Sequence, residues 1–185
     1  MTDTASILVI SDSHGNVPAL SAALAWARNY TGSNAGGFSA AVFLGDGAND
    51  LSAASAEAGF SIQWYKVRGN GDHSFSIPDT LVLEITLSRK LFLAHGNRHS
   101  VDGSKLNIAA AAKAAGAEAA LFGHTHVPHF SMVNGIFLLN PGSIGWSRSD
   151  YGPTFAVLDC PARGPLSARF FGLSDRNRKV QELEL

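Results

Sequence analysis

Apolar residues fall in short runs, each stopped by a polar or glycine-rich cluster. Ile7, Leu8, Val9 and Ile10 form the first run, and an aliphatic stretch without polar alternation predicts a strand covered on both faces. It stops at Ser11-Asp12-Ser13-His14-Gly15-Asn16. Pro18 then stands at an early helical position, and Leu20, Leu24 and Trp26 recur at roughly helical spacing, so a helix is expected up to Tyr30. The Gly/Ser/Asn-rich stretch Thr31 to Ser39 ends it. Ala40 to Leu44 predicts a second buried strand running into Gly45-Asp46-Gly47, followed by a small helix from about Leu51 to Ala58. Ile62 to Val67 predicts a third strand, again stopped by a polar cluster, Arg68-Gly69-Asn70-Gly71-Asp72.

The pattern changes after that point. Leu81, Leu83, Ile85 and Leu87 alternate at a period of two, which predicts a half-buried strand. A Ser88-Arg89-Lys90 turn would lead to Leu91-Phe92-Leu93-Ala94, giving an antiparallel hairpin that ends at His95-Gly96. The alanine-rich stretch Leu106 to Ala115 is a strong helix former with Gly116 as its stop. Ala119 to Phe122 predicts a short strand before Gly123-His124-Thr125-His126. Phe130 to Val133 and Ile136 to Leu139 flank Asn134-Gly135, a strong hairpin signal because both residues tolerate positive φ. Phe155 to Leu158 and Ala168 to Phe171 complete the expected strands, and the tail from Ser174 is polar and weakly determined. Helical connections early and hairpins late point to an α/β layered fold with mixed sheets.

Composition narrows the function classes. A chain of 185 residues with 45% hydrophobic content can enclose one core, so residues 1–185 are read as one domain. A formal net charge of -1 lacks the basic surface that duplex nucleic acid requires. One cysteine, Cys160, forms no intramolecular disulfide, and Met1 to Ser6 lacks a signal-peptide pattern, so a cytoplasmic setting is expected. No apolar run approaches the roughly 18 residues of a membrane-spanning helix. Homo-oligomer formation is left open.

The polar clusters carry the candidate chemistry. In α/β folds the carboxyl ends of neighbouring strands converge on one edge, so clusters that each follow a strand can meet there. Together they hold Asp12, His14, Asp46, Asn70, His95, His124 and His126, an oxygen-and-imidazole set suited to manganese, iron or zinc. All seven histidines of the chain lie in or near these clusters. Each signal alone has a plainer reading. Asp12 can cap the following helix, Asp46 can be a turn residue, Asn70 can serve positive φ, and His95 can be a satisfied core histidine. Gly123-His124-Thr125-His126 is the strongest, since two histidines two apart at a strand end can approach ions from one side.

Taken in order, Asp12-Ser13-His14, Gly45-Asp46, Gly69-Asn70, His95-Gly96 and Gly123-His124-Thr125-His126 resemble the calcineurin-like metallophosphoesterase superfamily. The compact length, the Gly69-to-Asp72 pattern and Asn140-Pro141-Gly142-Ser143 are similar to its small YfcE-like phosphodiesterase branch. The resemblance implies a four-layer α/β/β/α sandwich of two mixed β-sheets flanked by helices. It implies two divalent ions, manganese first and iron, zinc or nickel as alternatives. One would take Asp12, His14 and His126, the other Asn70, His95 and His124, with Asp46 bridging. The implied function is hydrolysis of small phosphodiesters by metal-activated water. Phosphomonoesterase activity, and a protein-binding scaffold of the same fold as in the related retromer subunit, are the alternatives.

Asp72 reads either as a carboxylate that orients a ligand histidine or as a simple turn residue. Gly71 departs from the superfamily, where histidine commonly follows the asparagine and protonates the leaving group. Three alternatives remain: His73 reaches in, metal-bound solvent supplies the proton, or substrates carry acidic leaving groups. Asn97 likewise replaces a common histidine. Arg98, His99 and Arg148 are candidates for phosphate contact, and Asn140 and Ser143 are expected to shape their loop.

Overall fold

The first apolar run becomes strand β1 (Thr4–Ile10), whose residues divide between two cores. Ile7 and Val9 pack between the sheets, whereas Leu8 and Ile10 pack against helices, which is why no polar position interrupts the run. The computed structural model describes residues 4–31, 37–86, 89–174 and 178–185. β1 pairs in parallel with β2 (Ala40–Phe43), which pairs in parallel with β3 (Trp64–Lys66). On its other side β1 is antiparallel to β9 (Thr154–Pro161), followed by β10 (Ser167–Leu173) and β11 (Val180–Leu183). The six-stranded order is β11-β10-β9-β1-β2-β3.

The second sheet has β4 (Thr80–Thr86), β5 (Arg89–Ala94), β6 (Ala119–Leu121), β7 (Pro128–Val133) and β8 (Ile136–Pro141), in the order β4-β5-β6-β8-β7. Both sheets are mixed. Helices α1 (Val17–Arg28) and α2 (Asp50–Ala58) cover the first sheet through Leu20, Leu24, Leu51 and Ala54. Helix α3 (Leu106–Ala114) covers the second through Ile108, Ala109 and Ala112 against Phe92, Ala120 and Leu138. Val42, Leu91, Leu93, Leu121 and Leu158 fill the space between sheets. The expected four-layer α/β/β/α sandwich is the observed architecture. No helix among the described residues is long and apolar enough to cross a membrane.

Local signals hold at several ends. Asn16 caps α1 by accepting from the Ala19 N–H at 3.2 Å, and Asn134 and Gly135 turn with φ of 52° and 80°. Three expectations need correction. Arg89 and Lys90 belong to β5 rather than a turn, because the Arg89 guanidinium is met by Glu118 at 3.2 Å and by the Gly164 carbonyl; Leu87 of the expected strand, Ser88 of the expected turn and residues 32–36 of the early loop lie outside the described residues. The third strand is only Trp64–Lys66. The polar tail contains β11, a strand specified by pairing with β10 at Phe170↔Leu183 rather than by its own sequence.

Candidate metal centre

Three parallel strands end together, and their loops continue the ladder beyond the strands. The Asp12 N–H donates to the Gly45 carbonyl at 3.0 Å and the His14 N–H to the Asp46 carbonyl at 3.1 Å. In the second sheet the Gly123 N–H donates to the His95 carbonyl at 2.9 Å. The loop after β8 joins the two halves: Ile144 and Gly145 donate to the carbonyls of Ser11 and Asp12, and Ser143 Oγ donates to the Asp12 carbonyl at 2.8 Å. Asn140 Nδ2 donates to the Gly123 carbonyl at 2.7 Å and to Thr125 Oγ1 at 3.0 Å. Asn140 and Ser143 therefore shape this loop, as expected. Close approach demands glycine at Gly145, where a Cβ would stand 1.9 Å from the Ser13 carbonyl oxygen.

Two donor groups form at these loop tips, Asp12 with His14 and His126, and Asp12 with Asp46 and His95. Asp12 Oδ1 lies 3.2, 3.8 and 4.0 Å from the Nε2 atoms of His126, His14 and His95. Asp46 Oδ2 lies 3.4 Å from His95 Nε2 and 3.9 Å from His14 Nε2, so both carboxylates reach across the two groups. His14 Nε2 and His126 Nε2 face each other at 3.1 Å. Asp12 Oδ1 and His95 Nε2 are buried without a hydrogen-bond partner. Orphaned buried atoms of this kind are costly unless a ligand satisfies them. The residues present fit a divalent cation, since hard oxygen and imidazole nitrogen converge while the only cysteine, Cys160, lies in the core between the sheets.

The supporting contacts select the nitrogen that each ring presents. His95 Nδ1 is 2.7 Å from the Leu44 carbonyl and His126 Nδ1 is 2.6 Å from the Trp146 carbonyl. A carbonyl accepts only from N–H, so Nδ1 carries the proton and Nε2 keeps its lone pair for the centre. Burial opposes charge on His95, yet the close carboxylates of Asp46 and Asp12 raise its pKa above the ordinary value. The nearby Asp12 carboxylate does the same for His126. Burial likewise works against ionisation of Asp46, but His95 and the Gly71 N–H hold its carboxyl below the usual value. That negative field attracts protons and divalent cations alike.

Backbone strain is concentrated at the same place. Among the described residues, eight non-glycine residues have positive φ, and five of them are Asp12 (56°), His14 (45°), Asp46 (57°), His124 (69°) and His126 (60°). Left-handed backbone costs such residues roughly 1 kcal/mol or more each, and it turns each side chain off its strand end toward the shared edge.

The remaining expected residues are placed differently. Asn70 is exposed and lines a cleft of about 290 Å³ with Arg68, Phe75, Asn97 and Arg98; Arg98 pairs with Asp79 at 3.2 Å. A larger cavity of about 400 Å³, walled by Ala5, Tyr65 and Leu83, holds none of the candidate ligands. His73 is exposed. His99 packs edge-on against Phe92. His124 lies outside the two close groups; its Nε2 pairs with Asp102 at 2.9 Å while its ring meets His95 edge-on. Asp72 bonds to backbone N–H groups rather than to a ligand histidine. Its carboxylate accepts from the N–H groups of Asp46, Gly47, Ala48 and Gly69 at 2.9–3.0 Å and so ties the second loop to the third.

Sequence reasoning missed Asp50 and Asp102. Asp50 Oδ2 accepts from Ser13 Oγ at 2.6 Å and the Gly15 N–H at 2.8 Å, and its place at the start of α2 was the available signal. Trp146, 67% exposed, also escaped notice; it stands beside His14 and His126 with ring centroids 6.3 Å away.

Known proteins resemble this chain in sequence and in fold. The probable metallophosphoesterase YsnB of Bacillus subtilis (strain 168) is 34% identical over 92 residues, 50% of this chain and 54% of that protein. The match thus spans about half the length of that curated relative. A predicted phosphoesterase from Streptococcus pneumoniae TIGR4 superposes with a TM-score of 0.74 at 23% identity, covering 99% of this chain and 100% of the other. Wild-type Vps29 from Entamoeba histolytica, complexed with zinc, superposes with a TM-score of 0.70 at 20% identity, covering 96% and 98%. At such identities the likeness speaks for the fold. A profile of the calcineurin-like phosphoesterase superfamily domain matches residues 6–163, and the chain belongs to that superfamily.

Proposed function

We propose that the chain is a metal-dependent phosphoesterase that hydrolyses small phosphodiesters, with residues 1–185 forming one metallophosphoesterase domain in the cytoplasm. The observation that carries this reading is the convergence of buried, unpartnered Asp12 Oδ1 and His95 Nε2 with the facing Nε2 atoms of His14 and His126. Asp12, His14 and His126 would hold one divalent ion, and Asn70, His95 and His124 the other, with Asp46 shared. Manganese is the first choice, with iron, zinc or nickel as alternatives. Two such ions, when bound, lower the pKa of water and neutralise charge on the phosphoryl oxygens.

The protein's own groups do the rest. Asn70 contributes a neutral oxygen, which limits the negative charge placed on the ions. Asp72, through four backbone N–H groups, keeps the Asp46 and Asn70 loops in register. The cleft beside Asn70 receives one ester substituent; Gly71 has no side chain to protonate the leaving oxygen, so either the exposed His73 on the same loop reaches in or substrates with acidic leaving groups are preferred. A protein-binding scaffold of this fold would not need buried ligand atoms left without a partner, which weighs against that rival. Phosphomonoesters are the alternative substrate. Chelator-stripped protein should lose turnover of bis(p-nitrophenyl) phosphate and regain it with Mn²⁺; undiminished turnover in chelator would sink the reading.

A further inference from the structure

The loop after β8 holds Trp146 at the lip of the metal centre with its backbone fixed and its ring open to solvent. The Trp146 N–H donates to Ser143 Oγ at 2.7 Å, and the Trp146 carbonyl accepts from His126 Nδ1 at 2.6 Å. Two residues on, the Arg148 N–H donates to the His126 carbonyl at 3.1 Å, so His126 and this segment are strapped together. Gly145, just before the indole, packs on the Ser13 carbonyl with no room for a Cβ. The indole is nevertheless 67% exposed, edge-on to His14 and His126 with ring centroids 6.3 Å away.

A ring left in water on an anchored backbone gains little for the fold, and it has already lost part of the freedom that binding would otherwise cost. It is prepared to stack on a flat partner. A cation stands beside it. The arginine ion pairs among the described residues are those of Arg68, Arg89, Arg98 and Arg169, which leaves the exposed Arg148 without a carboxylate. Its positive charge opposes protonation of His126, so its field reaches the centre. A flat apolar surface next to such a guanidinium suits a ligand that is aromatic at one end and anionic at the other, rather than an apolar protein segment. We propose, on the phosphoesterase reading of the centre, that Trp146 is a substrate-binding residue that stacks on the base of a nucleoside esterified to the reacting phosphate.

The substrates are then small nucleotide-type phosphodiesters. Stacking tolerates any base, since each has a π face, so little preference among bases is expected. A base inside a duplex has no free face to offer the indole, and a net charge of -1 provides no basic track for a long single strand. The second ester substituent has a separate place in the cleft beside Asn70.

Two diesters that differ only in one arm test this: the methyl ester of adenosine monophosphate, and dimethyl phosphate. Each is measured as a competitive inhibitor of bis(p-nitrophenyl) phosphate turnover by the Mn²⁺-loaded protein. Both carry alkyl leaving groups, which are poor ones for a site with glycine at Gly71. Wild type should bind the adenosine ester roughly tenfold or more tighter, the range of one stacked base. Its tryptophan fluorescence should fall on binding, Trp26 and Trp64 being packed against the core. Trp146→Ala should lose both the preference and the quenching, yet bind dimethyl phosphate as wild type does. Trp146→Phe, which keeps a ring, should retain most of the preference without the quenching. Matching melting temperatures would verify folding, because the hydrogen bonds that fix this loop are made by backbone atoms of Trp146 and not by its indole. Equal inhibition by the two esters in wild type, or a preference that survives Trp146→Ala, overturns the nucleoside assignment and leaves the phosphoesterase reading standing. Absence of Mn²⁺-dependent turnover in wild type removes the phosphoesterase reading and the assignment with it.

Discussion

Replacing Asp72 by Asn tests whether this carboxylate holds the second and third loops together. Four N–H groups, of Asp46, Gly47, Ala48 and Gly69, converge on its two oxygens at 2.9–3.0 Å. Asparagine has nearly the same shape but only one acceptor oxygen, and its amide would face two of those N–H donors. Losing two charge-assisted hydrogen bonds at roughly 1.5 kcal/mol each gives about 3 kcal/mol. That is a large part of a typical stability of about 5–15 kcal/mol, and it corresponds to a fall of roughly 6–12 °C in Tm for a chain of this size. The effect also has a pH signature. Burial pushes the Asp72 carboxyl up, but the four N–H donors outweigh it and hold it below its usual value. A depressed folded pKa contributes stability above the unfolded value, about pH 4, and that contribution disappears as the pH falls through the folded pKa. Urea unfolding of metal-stripped protein should therefore separate wild type from Asp72→Asn at pH 7 and bring the two together in acid. Equal midpoints at pH 7, or a gap that widens toward acid, would refute the account.

Two further substitutions probe the chemistry. Asp46→Asn should cost roughly tenfold more activity than His14→Ala, because Asp46 Oδ2 lies within 3.4 Å of His95 Nε2 and 3.9 Å of His14 Nε2 and so serves both ions; equal residual rates at equal metal occupancy would remove the bridging assignment. Gly71→His should flatten the dependence of rate on leaving-group pKa, speeding alkyl diesters by roughly 100-fold through general-acid catalysis. Gly71 is not in the left-handed region, and a Cβ there would sit 3.1 Å from Asp46 Oδ1, so the loop must yield by only a few tenths of an ångström. A wild-type rate already independent of leaving-group pKa, made dependent by His73→Ala, would identify His73 as the acid.

Much of the architecture was legible because burial leaves a periodic mark. Ile7 to Ile10 could only be a strand covered on both sides, and Asn134-Gly135 could only close a hairpin economically. The same logic fails for β11, where Val180 and Leu183 are too few to specify a strand until β10 offers its edge. It fails for Arg89 too, whose place in β5 depends on Glu118, 29 residues away. For the centre, residue type and order along the chain brought Asp12, His14, Asp46, His95 and His126 to attention, since each closes an apolar run. What the order of residues could not carry was the direction of each side chain. That direction depends on left-handed backbone at five of the candidate ligands and on acceptors that arrive from elsewhere, the Leu44 and Trp146 carbonyls. The chain alone thus determined which donors were available and on which strand ends they sit, because local propensity and burial act through near neighbours. Only the tertiary structure decided which atoms converge and which nitrogen of His95 and of His126 is free, because those choices are made by hydrogen bonds between loops far apart in sequence.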